Sequence, residues 1–243
     1  MTRFFVEPEQ LQEAFLVLTG ENAQHAKVLR LKSGEQVLVC DGHGKECLCT
    51  VSDVSPGQIS LVVDSRRESE SEARVRVSVY MAYPKADKLE HVIQKATELG
   101  AYEIVAFPSS RCISRPDEKS LAKKLERWQK IAAAAAEQSG RGRVPQVLTL
   151  PSYAEALQRA TQADKALLFY ENERATTLRM ALSSGEYTSV SLLTGPEGGL
   201  EPKEVQQALD VGLQVCTLGK RILRCETAPL CALSAVMYDA GEF

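Results

Sequence analysis

From Val75 onward, short apolar runs alternate with stretches of helical periodicity, and this alternation constrains the chain more than any other feature. The runs Val75 to Ala82, Glu103 to Phe107, Val147 to Leu150, Ala166 to Tyr170, Ser189 to Leu193 and Gln214 to Leu218 read as strands. Between them, Lys88 to Leu99, Glu118 to Gln138, Tyr153 to Thr161, Thr176 to Leu182 and Lys203 to Val211 read as helices, and a last helix runs from Ala228 to Ala240. Individual residues support these boundaries. Leu89, Val92, Ile93, Ala96 and Leu99 recur at helical spacing and Gly100 stops them, while Ser152 and Glu155 have the spacing of a capping box. Strands that alternate with helices predict an α/β fold with a mainly parallel sheet covered on both faces.

Ligands of such sheets bind outside the carboxyl ends of the strands, so the loops there carry the functional argument. Two are rich in glycine: Thr194 to Gly199 (T-G-P-E-G-G) and Leu218 to Ala228 (L-G-K-R-I-L-R-C-E-T-A). Gly195, Gly198 and Gly199 lack a Cβ, so positive φ and close approach of a flat ligand are open to the first loop. It has neither the G-x-G-x-x-G fingerprint nor the lysine end of a phosphate loop, which disfavours a nucleotide polyphosphate and leaves an adenosine-containing ligand. The second loop crowds Lys220, Arg221 and Arg224 beside Glu226 and Thr227, just before an almost wholly apolar helix. Thr227 is placed to cap that helix and Pro229 suits its first turn. Its apolar residues surround the axis, which predicts burial on several sides, against the sheet and a partner subunit.

These two loops in this order resemble the SPOUT class of S-adenosylmethionine-dependent RNA methyltransferases, and within it the ribosomal RNA small subunit methyltransferase E family. Gln94 to Gly100 (Q-K-A-T-E-L-G) and Ala135 to Arg141 (A-A-E-Q-S-G-R) extend the resemblance, which covers nearly the whole chain. It implies a C-terminal domain threaded as a trefoil knot, with the methyl donor S-adenosylmethionine bound among the knot loops, and a PUA-like β-barrel domain before it that helps to hold RNA. It further implies a homodimer that methylates N3 of a uridine in 16S, small-subunit ribosomal RNA, free or assembled in a 30S-type subunit. Periodicity shows none of this, and true knots are rare.

The first seventy or so residues read independently as a small barrel. Ala14 to Leu18, Gln36 to Cys40, Glu46 to Val51 and Gln58 to Val63 are strand-like, with a turn at Asp41 to Gly44. Glu21 to Leu31 reads as a helix stopped by Lys32-Ser33-Gly34. Asp64 to Arg74 is too polar to bury and reads as a linker, which places the domains at 1–72 and 73–243.

The formal charge of −3 conceals its distribution. Between Arg111 and Arg143 nine cations stand against four anions, enough for a phosphate-binding face or for a solvated helix face. Trp128 falls on the apolar stripe of that basic helix and reads as core. The seven cysteines read as reduced core thiols rather than disulfides or metal ligands. No apolar run approaches a membrane span, and a cytoplasmic protein without a metal is the expectation.

Methyl transfer from a sulfonium is a direct displacement that needs no covalent nucleophile and no metal. The uracil imide becomes nucleophilic as its proton leaves, and the charge that spreads to the flanking carbonyls suits a guanidinium. Arg224 and, behind it, Arg111 are the candidates for that task. Glu226 is either a general base or a carboxylate that orients an arginine. For the donor, the resemblance implies Thr194, Gly195, Glu197 and Gly199 in the first loop and Leu218, Gly219, Ile222, Leu223, Thr227 and Ala228 in the second. Tyr170 to Arg174 is expected to complete that pocket. Candidate RNA contacts are Arg3, Lys27, Arg30, Lys85, Lys88, Arg115 and Arg141, with Glu137 and Gln138 matched to the same motif as Arg141. The competing reading is a non-catalytic RNA-binding or ribosome-assembly protein on the same fold; an oxidoreductase lacks its fingerprint.

Overall fold

The computed structural model describes residues 1–243, the side chain of Glu118 excepted. The chain divides into two compact units, one of Met1–Glu72 with Ala136–Val144, the other of Ala73–Ala135 with Pro145–Phe243. Residues 136–144, which the sequence assigns to the second domain, thus belong with the first unit. Glu72 is the reason visible there: its carboxylate accepts from Arg141 Nη2 at 2.7 Å, from the Gly142 N–H at 2.9 Å and from the Arg143 N–H at 3.1 Å.

The first unit is a curled five-stranded sheet, the small barrel that the strand pattern predicts. Its strands are β1 (Arg3–Phe5), β2 (Phe15–Leu18), β3 (Gln36–Cys40), β4 (Lys45–Ser55) and β5 (Gln58–Glu68), in the order β1-β3-β4-β5-β2. Phe4, Leu16, Leu18, Val37, Val39, Cys47, Cys49 and Leu61 fill its core. Helix α1 (Gly20–Val28) ends sooner than expected. Arg30, with φ of 56°, turns the chain ahead of Lys32-Ser33-Gly34.

The linker expectation fails for Asp64 to Glu68, which continue β5. They pair with β4 through Glu46↔Arg67 and Cys47↔Arg66, and two register shifts bend the hairpin. Polarity misled here because the strand is stabilised by side chains reaching across. Arg67 Nε donates to buried Glu46 at 2.8 Å, and Arg66 Nε to the Leu11 carbonyl at 2.9 Å. Glu46 is also held by Arg3 Nη1 at 2.6 Å. Burial alone would push its carboxyl up, but the two guanidinium groups outweigh it and hold the group below the ordinary carboxylate range.

The second unit is built on six strands: β6 (Arg76–Ala82), β7 (Glu103–Phe107), β8 (Gln146–Thr149), β9 (Lys165–Phe169), β10 (Ser189–Thr194) and β11 (Gln214–Cys216). Their order is β11-β9-β10-β6-β7-β8 and every pairing is parallel. The helices are α2 (Lys88–Glu98), α3 (Glu118–Ser139, whose last residues fall in the first unit), α4 (Tyr153–Ala160), α5 (Leu178–Leu182), α6 (Pro202–Asp210) and α7 (Thr227–Asp239). Tyr80, Phe107, Ala156, Leu168, Leu193 and Leu200 belong to one core cluster on the sheet, and Trp128 is buried as its place on the apolar stripe predicts. Ser152 Oγ accepts the Glu155 N–H at 3.2 Å and so starts α4. The described residues include no helix long and apolar enough to cross a membrane.

One expectation for α7 needs correction. Glu226, not Thr227, precedes its first residue, and no side chain caps it, since Thr227 is already helical and donates its N–H to the Arg224 carbonyl at 2.9 Å. Within the chain α7 buries one face, Pro229, Ala232, Leu233, Val236 and Met237, while Cys231 and Tyr238 on the other side are exposed. Cys231 is thus not a core thiol, unlike Cys40, Cys47, Cys49, Cys216 and Cys225.

One carboxylate fixes the edge between β9 and β10. Asp164 Oδ2 accepts from the Thr188 N–H at 2.8 Å, the Thr188 hydroxyl at 2.9 Å and the Ser189 N–H at 3.0 Å. These bonds favour the charged form and lower its pKa from 3.8 to about 2. A depressed carboxylate contributes stability above its unfolded pKa and loses it as pH falls through the folded one. Asp164→Asn is therefore expected to flatten the part of the acid-denaturation curve between pH 3.8 and about 2, measured by circular dichroism against the parent protein.

Candidate active site

Strand order brings three loops together. Because β11, β9 and β10 are consecutive neighbours and all parallel, the segments that follow them leave the same edge of the sheet side by side. They enclose a cavity of about 570 Å³, a size suited to a small organic ligand. Phe169, Tyr170, Glu171 and Arg174 line it from the β9 loop.

The β10 loop forms the second wall. Buried Thr194 ends the strand, its hydroxyl donating to the Tyr80 carbonyl at 3.3 Å. The three glycines then serve different purposes. Only Gly199 has a positive φ, 68°, so the left-handed conformation expected of all three is required at one. A Cβ on Gly195 would stand 3.0 Å from Leu200 Cγ, and one on Gly198 would stand 3.2 Å from Arg111 Cβ. Those two are small so that neighbouring side chains can pack against the turn.

The third wall is the β11 loop, with Leu218, Gly219, Arg221, Ile222, Leu223, Arg224 and Cys225 facing the cavity and Ala228 closing it from α7. Gly219 has φ of 103°, and its N–H donates to Thr217 Oγ1 at 3.2 Å. Arg224 is exposed, and its guanidinium makes no hydrogen bond or ion pair to the described residues.

Of the residues expected to hold the donor, Thr194, Gly195, Glu197, Gly199, Leu218, Gly219, Ile222, Leu223 and Ala228 line this cavity, and Thr227 does not. Arg111 also stays outside its wall. Its Nη1 donates to the Gly198 carbonyl at 2.9 Å, so the guanidinium braces the β10 loop instead of standing free for a base. Glu226 is likewise engaged, not with an arginine but with Lys88, whose Nζ lies 3.1 Å from Glu226 Oε2 and 3.0 Å from Glu197 Oε1. Burial pushes both carboxyls up, but main-chain donors and the Lys88 ammonium prevail and leave them below the ordinary range. A carboxylate so held is a poor general base.

The cations named as RNA contacts separate in the same way. Lys27, Arg30, Lys85 and Arg115 are exposed, with Arg115 Nη2 donating to the Ser109 carbonyl. Arg3 and Arg141 are not available to RNA, being largely buried and paired with Glu46 and Glu72. Lys88 is taken up by its two carboxylates. Glu137 accepts from His25 Nδ1 at 2.7 Å. Sequence reasoning did not single out Pro196, Arg221 and Cys225 within the two glycine-rich loops, and it missed Phe169, for which adjacency of β9 to those loops is the signal that chain order does not reveal. Among the described residues no group of three or more His, Cys, Asp or Glu side chains is arranged to hold a metal ion.

Residues 71–237 match the family model of an RNA methyltransferase domain, and residues 18–64 that of an RNA methyltransferase PUA domain. The ribosomal RNA small subunit methyltransferase E of Bacillus subtilis is 39% identical over 248 residues, covering 98% of this chain and 97% of that protein. The chain belongs to the ribosomal RNA small subunit methyltransferase E family. Solved structures agree. The family member of Neisseria gonorrhoeae, bound to S-adenosylmethionine, superposes with a TM-score of 0.85 at 33% identity, covering 98% of this chain and 97% of that one. A methyltransferase of Legionella pneumophila, also in complex with S-adenosylmethionine, gives a TM-score of 0.84 at 28% identity and 98% coverage of both chains. The curled sheet and the parallel sheet are therefore the PUA-like and SPOUT-like parts of a methyltransferase E chain.

Proposed function

We propose that this chain transfers a methyl group from S-adenosylmethionine to N3 of a uridine in 16S ribosomal RNA. The observation that carries the reading is the three-walled cavity, glycine-lined on one side, with the unengaged Arg224 guanidinium in another wall. The donor fits these walls. A Cβ at Gly199 would reach to 2.5 Å from Glu171 Oε1 across the loops, so any side chain there displaces the Glu171 carboxylate on the opposite wall. Gly195, Gly199, Leu218 and Leu223 line the cavity, and main-chain groups among them would read the adenosine edge while Ile222 and Leu223 supply apolar surface.

When bound, S-adenosylmethionine supplies an electrophilic methyl carbon open to direct displacement. The protein's part is alignment and charge. Arg224 meets the negative charge that develops on the uracil carbonyl flanking N3 as the imide proton departs. Arg111 works one step back, holding the Gly198 carbonyl and with it the β10 loop. Residues 1–72 with 136–144 serve as the RNA-holding domain and residues 73–135 with 145–243 as the knotted catalytic domain, with Lys27, Arg30, Lys85 and Arg115 as phosphate contacts in the cytoplasm.

The exposed side of α7, with Cys231, Tyr238 and the part-exposed Leu230 and Ala235, is the homodimer face, Tyr238 at 76% exposure its largest member. Sedimentation is expected to give a dimer for the parent protein and a shift toward monomer for Tyr238→Lys. The activity itself is tested by incubating protein, labelled methyl donor and unmodified small-subunit RNA or 30S particles, then mapping the product by mass spectrometry. A single N3-methyluridine supports the reading. Stoichiometric RNA binding that is indifferent to the donor, without turnover, selects the non-catalytic alternative.

A further inference from the structure

We infer that Lys88 is a positioning residue that locks the two glycine-rich loops to each other and so sets Arg224 relative to the methyl donor. This rests on the methyltransferase reading and adds a residue to it. Lys88 opens α2, just beyond the carboxyl end of β6, and its side chain is only 27% exposed. Its single ammonium lies 3.0 Å from Glu197 Oε1 in the β10 loop and 3.1 Å from Glu226 Oε2, directly after the β11 loop. Hydrogen bonds to both carboxylates raise its pKa, so it stays charged through the working range.

The two carboxylates are not held equally. Glu197 Oε1 also accepts the Lys85 N–H at 3.0 Å, delivered by a turn in which Ala86 has φ of 55°, a conformation L residues rarely adopt. Beyond Lys88 and its own N–H, Glu226 has only the weak thiol donor of Cys225, at 3.1 Å, and no main-chain donor from another loop comparable to Lys85. Without the ammonium, two partly buried carboxylates that now share one cation would face each other and repel. The less tethered partner would yield, and it is separated from Arg224 by one residue.

Lys88→Met should therefore lower kcat about tenfold or more while the affinity for S-adenosylmethionine, read by calorimetry, changes by less than about threefold. Lys88→Arg should retain most of kcat. The diagnostic variant is Lys88→Met with Glu226→Gln, which abolishes the repulsion and should recover several-fold of the lost rate. Hydrogen exchange without any cofactor gives a second readout: amides of residues 218–226 should exchange several-fold faster in Lys88→Met and slow again in the double variant. An unaltered kcat in Lys88→Met, or a loss that Glu226→Gln leaves in place together with unchanged exchange, overturns the inference. A parent protein that transfers no methyl group would instead overturn the methyltransferase reading, and the exchange experiment would still decide the role of Lys88.

Discussion

Arg224→Ala is expected to lower kcat by about 100-fold to 1,000-fold, with the affinity for S-adenosylmethionine nearly unchanged, in single-turnover methylation of small-subunit RNA. The reasoning follows charge. The uracil imide reacts through a state in which negative charge is spread over N3 and its flanking carbonyl oxygens, and a guanidinium at the cavity wall meets that charge. Arg221 and Arg174 also line the cavity, but Arg224 alone stands at the turn into α7, where its carbonyl accepts the Thr227 and Ala228 N–H groups at 2.9 and 3.0 Å. Those bonds fix its backbone while its guanidinium stays unengaged. Arg224→Lys keeps the charge but loses the planar fork, and should recover only part of the rate. Equal losses in kcat and in donor affinity would show that Arg224 shapes the cofactor pocket rather than the transition state.

The sequence made the alternation of the second unit legible because burial and periodicity coincide there. Leu89, Val92, Ile93 and Ala96 are all buried on α2, and each parallel strand is a short apolar run. The same logic failed for β5. Asp64 to Glu68 form a strand whose stability comes from Arg67 reaching Glu46 and Arg66 reaching the Leu11 carbonyl, contacts between residues far apart in sequence. The site shows a comparable division. Glycine-rich turns announce themselves, since few other residues tolerate what Gly199 must do. Charges do not announce their partners. Lys88, Arg141 and Arg3 look in sequence like any other cation, yet each is committed to a carboxylate, and Lys85 and Lys27 are not distinguished from them by spacing. The β9 loop, expected at Tyr170 to Arg174, carried no motif of its own, because Glu171 reaches the cavity through a strand order that places β9 between β10 and β11.

Gly199→Val should reduce the affinity for S-adenosylmethionine by about 100-fold in calorimetry, with a melting temperature only about 5–10 °C below that of the parent protein. Two costs add. A φ of 68° is disfavoured for any residue with a Cβ by about 1–2 kcal/mol, and more for a β-branched one. A Cβ would also stand 2.5 Å from Glu171 Oε1, which is closer than such atoms come. The second cost is separable from the first, because Glu171 is an exposed side chain whose carboxylate can swing away. Gly199→Ala should therefore lose about tenfold in affinity, and adding Glu171→Ala should restore part of that by removing the contact while leaving the backbone strain. If Gly199→Val bound the donor as well as the parent does, the β10 loop would not be a wall of the cofactor site. If Glu171→Ala restored the Gly199→Ala variant completely, the left-handed backbone would carry no cost and the width of the cleft alone would explain the glycine.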